Sequence, residues 1–298
     1  MINRSNRAYD PMAEFTSFWM RWVPAWHVAR RLFALVGIAV IYAAIVAWIV
    51  HTLDSPKWSA GTEWATINGL ILGVLLVFRN KEAYERWWEG RKLWGQLINE
   101  IRNLALKIRA HVELTEAEQA EVTRLLNGFP HALKCHLRGD EDLHHVPGFE
   151  HDRDHTDHLP LYIAGRLANL LAQWHREGRM SQEILWILDV HARALMDVCG
   201  ACERIRSSPV PYSYRALLRH GVLLYMLLSP WSFILENGFW GILIVGVVFY
   251  FLLGIELIAE DVEEPFGLDT DDLPLERLCD VIRLSVAEVF GVKQGEHS

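Results

Sequence analysis

The sequence predicts an all-α protein that spans a membrane. Residues 32–50 carry no charge, and such a run is long enough to cross a hydrocarbon core of roughly 30 Å. Of the 298 residues, 51% are hydrophobic and 13 are tryptophan, and the mean hydropathy of +0.10 sits poorly with a soluble chain. Elsewhere apolar side chains recur at helical spacing, and no period-two strand pattern or internal repeat stands out.

The first span follows Arg30 and Arg31, and no small-residue cleavage site comes after it, so it is expected to stay as an anchor. Residues 64–78, 222–235 and 238–255 supply three shorter apolar runs. Each lies below or near the usual ~20 residues, so each must extend into flanks buried in protein or lying at the interface. Arg79, Lys81, Arg86, Arg91 and Lys92 follow the second run, and Arg215 and Arg219 precede the third. The loops at 51–63 and 236–238 hold few basic residues, so the positive-inside rule gives four spans in an inner (plasma) membrane with both termini cytoplasmic. Trp48, Trp58, Trp64 and Trp240 then fall near the outer interface, and Trp87 and Trp88 near the inner one.

Between the second and third runs the chain reads as a helical cytoplasmic body. From 84 to 108, Trp87, Trp94, Ile98, Ile101, Ala105 and Ile108 share one helix face, with Lys92, Gln96, Glu100 and Asn103 opposite. Thr115 and Glu118 form a capping box for a helix expected to break near Gly128 and Pro130. A helix after Pro160 carries Leu167, Leu170, Leu171 and Trp174, and Ser181 caps the next, which the segment 209–211 closes. An acidic segment follows the fourth span, and a last amphipathic helix fits residues 275–290. The linear order is therefore a cytoplasmic N-terminal segment (1–31), two spans with a helix running on into the cytoplasm (32–110), a helical region (111–215), two spans (216–258), and an acidic segment with a C-terminal helix (259–298).

A net charge of −8 with no basic stripe away from the membrane flanks argues against a nucleic-acid partner. Cys135, Cys199, Cys202 and Cys279 lie on the expected cytoplasmic side and read as free thiols. Cys199 and Cys202 have CxxC spacing inside a helical pattern without a second pair, which reads as small-residue packing against a redox or zinc role. His144, His145, His151, Asp152, Asp154, His155, Asp157 and His158 crowd one loop. Imidazoles and carboxylates at such spacing suit zinc, with a membrane-anchored metal-dependent enzyme as the corresponding alternative function, but no apolar frame surrounds the cluster to fix ligand geometry, and it reads first as a solvated loop. Arg219, His220 and Glu256 at span ends raise a proton-coupled transporter as another alternative, although no inverted repeat supports it.

The second span carries two rows at fourfold spacing. One reads Thr62, Thr66, Leu70, Val74, Phe78, polar at one end and apolar at the other; its neighbour reads Gly61, Ala65, Gly69, Gly73. Small residues let another helix approach closely in lipid. A ring of identical helices about an axis would use the small row for subunit packing and the graded row for pore lining. The stretch from Leu70 to Phe78 then makes a hydrophobic constriction roughly 12 Å long. The alternative is that Leu70, Val74 and Phe78 face lipid or a bundle core.

The run Phe78-Arg79-Asn80 with Ala83-Tyr84, Arg86-Trp87-Trp88 and Arg91-Lys92-Leu93-Trp94-Gly95 resembles the bestrophin family of ion channels, in its short bacterial branch. Asp261, Glu264-Pro265-Phe266-Gly267 and Asp271-Asp272-Leu273-Pro274-Leu275 before Leu278-Cys279 form a second matching block, with Glu177-Gly178-Arg179 a weaker third. The resemblance implies a homopentamer of four-span subunits around a central pore, conducting small monovalent ions across the lipid bilayer. It implies chloride or other anions as in animal relatives, or sodium as in bacterial ones. It also implies a neck at Leu70, Val74 and Phe78 and a cytoplasmic aperture at Ile184. In place of the continuous acidic calcium clasp of animal members, this chain has Leu268, Asp269, Thr270, Asp271 and Asp272, so a calcium site is expected, if present, at Asp269, Asp271 and Asp272.

Overall fold

A computed structural model of the chain describes residues 26–52, 62–152, 156–269 and 271–291. Among these, every regular element is helical: α1 (Trp26–Thr52), α2 (Thr62–His111), α3 (Glu116–Leu137), α4 (Leu159–Arg176), α5 (Gln182–Ser207), α6 (Tyr212–Asn237), α7 (Trp240–Val262) and α8 (Leu275–Phe290), with a short 3-10 turn at Leu143–His145. The chain forms two compact units, one of residues 1–82 and 210–260, the other of residues 83–209 and 261–298. The units thus cut across the linear order, and the 50-residue helix α2 contributes to both.

In the first unit, α1, α6 and α7 are each long and apolar enough to cross a membrane. The segment of α2 read as the second span is not among them by composition, as its short apolar run foreshadows. Val28, Leu32, Ala43 and Val46 of α1, Leu72 and Leu76 of α2, Val222 and Tyr225 of α6, and Val245 and Phe249 of α7 form the core. Helices α1 and α6 are tied by a polar relay: Trp231 Nε1 donates to Tyr42 Oη at 3.0 Å, and Tyr42 donates to the Leu227 carbonyl at 2.9 Å. The turn from α6 to α7 needs glycine twice. Gly238 has φ +55°, and a Cβ on Gly241 would lie 2.7 Å from the Phe233 carbonyl oxygen.

In the second unit, α3 packs against α4 and α8, and α5 against α4. Trp94, Ile101, Ala105 and Ile108 of α2 are fully buried there, as their spacing predicts. Glu100, expected on the solvent face, instead faces α5, where His191 Nδ1 donates to its carboxylate at 2.6 Å. The Thr115 capping box is complete in both directions. The expected break at Gly128 and Pro130 does not occur, and α3 runs on to Leu137. Gly128 is there for room: a Cβ would sit 2.4 Å from the Phe149 ring. Pro130 is buried between Phe129 and Leu133, whose burial outweighs the lost backbone bond. Helix α4 starts one residue before Pro160, capped by His158, and α8 occupies residues 275–290 as expected.

Candidate pore-lining site

Within residues 62–82 of α2, Ala65, Leu72, Leu76 and Arg79 turn inward, at 0, 6, 2 and 1% exposure. The opposite face carries Thr66, Leu70, Val74 and Phe78, all exposed, the last three at 69, 49 and 60%. Ile67, Ile71 and Val77 flank them and are exposed as well, so a broad apolar face of α2 is left for lipid or other copies of the chain. Thr62 begins α2, but its side chain, like Gly61 altogether, lies outside the described residues.

The small row does not act as a single subunit-packing stripe. Ala65 is buried within its own chain, and Gly69 lies against Tyr225 of α6, whose hydroxyl would be 2.8 Å from an added Cβ. The row drifts around the helix by about 40° per step, so its first members face inward and its last outward. Only Gly73 of the described members is open, with nothing within 4 Å of the position an added Cβ would take.

Arg79, directly after Phe78, is buried, and its Nε donates to Glu256 of α7 at 3.1 Å. Arg219 of α6 pairs with Glu260 of α7 at 3.0 Å. Arg219 and Glu256, which the sequence places at span ends, are thus engaged between helices. Neither pairing can be read from the sequence, since the partners stand 177 and 41 positions apart.

In the second unit the two signature blocks meet. Arg86 donates to the carbonyls of Glu263, Ser208 and Ile205, and Trp87 Nε1 donates to the Asp271 carbonyl at 3.0 Å. Gly90 lies against Phe266 and Leu273, where a Cβ would come within 3.1 Å of the Phe266 ring. Asp272 Oδ2 accepts from the Asp269 backbone N–H at 2.6 Å, while its buried Oδ1 has no hydrogen-bond partner. Burial raises the Asp272 carboxyl to about 6. An orphaned carboxylate oxygen is a donor a hard cation would satisfy, but Asp269 and Asp271 are exposed and are not gathered with it into a donor group.

Ile184 stands in the first turn of α5, half-buried against the core, with Trp186, Ile187 and Val190 exposed farther along the same helix. The histidine-rich loop is held by its own polar groups and by arginines of α3 and α4. His144 Nδ1 donates to the Glu150 carbonyl, His145 pairs with Asp140, and Asp152 accepts from Arg124 and Arg166. Asp154 and His155 lie outside the described residues. All four cysteines are free and buried; burial first, then the neighbouring Glu203 carboxylate, pushes the Cys202 thiol up to about 12 and raises that of Cys199 as well. A buried, raised thiol is a weak nucleophile.

Residues 15–288 match the Bacterial/Fungal Bestrophin family. A voltage-dependent anion channel-forming protein of Nostoc sp. is 35% identical over 244 residues, 78% of this chain and 79% of that protein. One of the same description from Mesorhizobium japonicum is 32% identical, covering 89% of this chain and 86% of its own. The crystal structure of a bacterial bestrophin homolog from Klebsiella pneumoniae superposes with a TM-score of 0.79 at 23% identity, over 86% of this chain and 97% of that one, a likeness of fold.

Proposed function

Because the chain belongs to the Bacterial/Fungal Bestrophin family of ion channels, we propose that it assembles as a ring of identical subunits, a pentamer, in the inner membrane, with four spans and both termini cytoplasmic. One α2 from each copy lines the path, and small monovalent ions pass through it. The carrying observation is the exposed row Thr66, Leu70, Val74, Phe78 on a helix whose opposite face is already buried in its own chain. An apolar constriction about 12 Å long resists hydration, so conduction turns on wetting at Leu70, Val74 and Phe78. Thr66 offers a hydroxyl to the ion before the neck, and Gly73 lets a neighbouring α2 approach. Ile184 is the residue proposed for the second constriction. No enzymatic step belongs to this reading.

The relatives' description as anion channel-forming proteins supports anions such as chloride. One observation favours the opposite sign: −8 per chain, repeated around a ring, draws cations into the vestibules. Current through reconstituted protein in a salt gradient decides it. A reversal potential at the chloride equilibrium supports anions, one at the sodium equilibrium supports cations, and no current above protein-free bilayers contradicts the channel. Calcium enters the proposal only through Asp272, with its partnerless Oδ1 as the ligand; calorimetric titration showing no heat that Asp272→Asn abolishes would remove it.

A further inference from the structure

One histidine of the crowded loop is built into the helical body rather than into the loop. His158 caps α4, its Nδ1 accepting from the Leu161 backbone N–H at 3.2 Å. Its Nε2 lies 2.9 Å from Oε1 of Glu203 on α5, and Nε2 of His136, in the last turn of α3, lies 2.7 Å from the same oxygen. The two rings stack with centroids 4.3 Å apart and planes at 21°. Three ligand atoms, carried by α3, α5 and the cap of α4, therefore fall within 4.8 Å of one another, and no other trio of His, Cys, Asp or Glu donors does so among the described residues. The side chains of His136, His158 and Glu203 are 17, 30 and 36% exposed, so the site is framed by helices yet open to solvent.

We propose that His136, His158 and Glu203 bind a divalent transition-metal ion, with zinc the fitting one. Two neutral imidazoles and one carboxylate make a tetrahedral set with a fourth position left for water, whereas calcium and magnesium favour all-oxygen shells. Ligand bonds of about 2.0–2.1 Å around a tetrahedral ion space the ligands about 3.3 Å apart. The present 2.7 and 2.9 Å separations need to open by only about half an ångström. Arg206 holds the His136 end by donating to its carbonyl at 2.8 Å. Cys199 is buried, with its sulfur 3.7 Å from Glu203 Oε1, and is not one of the three gathered ligand groups.

Binding has one identifiable cost. With Leu161 N–H donating to Nδ1, the neutral His158 ring carries its proton on Nε2, where it points at Glu203. A metal takes the Nε2 lone pair, the proton passes to Nδ1, and the bond to Leu161 is given up. Metal binding at His158 therefore comes at the loss of this one capping bond. His158→Asn keeps a capping side chain while removing the ligand.

The test uses the full chain purified in detergent, with cobalt(II) as the spectroscopic probe and zinc as its competitor. The expected result is one cobalt per chain with four-coordinate visible absorption, displaced by zinc and weakened at least about tenfold by both His158→Asn and Glu203→Gln. His144→Ala and His145→Ala, elsewhere in the loop, are expected to bind as the parent does. Circular dichroism and an unchanged size-exclusion profile qualify each variant, and Glu203→Gln stands alone if the cap variant misfolds. Absence of stoichiometric cobalt overturns the site, as does binding that survives in both ligand variants or is lost in the loop controls.

Discussion

Arg79 has 1% exposure and faces the Glu256 carboxylate at 3.1 Å. Removing one member of such a pair leaves the other charge in a medium that cannot solvate it, a loss of about 3–5 kcal/mol. Glu256→Ala is therefore expected to lower the thermal midpoint of the detergent-solubilised protein sharply, and a midpoint equal to the parent's contradicts the pairing. Glu118 makes a second test. Its carboxylate takes a hydrogen bond from Arg179 first, then from the Thr115 backbone and Trp174, which hold its pKa well below the ordinary 4.5 despite some burial. A depressed carboxylate stabilises the fold above its unfolded value and loses that contribution as pH falls below about 4.5. Glu118→Gln is expected to cost about 1–2 kcal/mol at neutral pH and to flatten the acid limb of stability, read by urea midpoints across pH; parallel acid limbs would contradict it. The Thr115 and Glu118 box is legible in the sequence because its partners are three residues apart. Arg79 and Glu256 are not, because sequence gives each charge without saying which distant helix answers it.

At the scale of elements, the fourfold periodicity read from residue 62 to 78 matches an exposed row at Thr66, Leu70, Val74 and Phe78, a face open to lipid or to other copies of the chain. The partner of the small row is not legible. A glycine or alanine announces close approach but not whose backbone approaches, and here Ala65 and Gly69 serve the chain's own bundle. Helix α3 teaches the same limit from the other side: Gly128 and Pro130 are breakers locally, yet burial of Phe129, Leu133 and their neighbours carries the helix through. Gly128→Ala is expected to destabilise the protein by about 1–3 kcal/mol, because the added methyl meets the Phe149 ring before it can repack. An Ala variant as stable as the parent would show that Phe149 moves freely, and that the glycine is not there for space.

For the whole molecule, hydropathy and basic flanks predict a membrane unit and a helical body, and the chain does divide into two compact units, the first carrying three helices apolar enough to span. The boundary between them within α2 is not legible, since the helix passes residues 82 and 83 without a break. In the proposed ring, copies of Leu70, Val74 and Phe78 from the exposed face of α2 converge on a common axis. The most direct test of that claim is single-channel recording of the Leu70→Ala, Val74→Ala, Phe78→Ala triple variant in planar bilayers beside the parent protein. A neck that limits flow by its apolar bulk is expected to give a higher conductance or open probability in the triple variant. Currents identical to the parent's, from protein of unchanged oligomeric size, would contradict the assignment of these three residues to the pore.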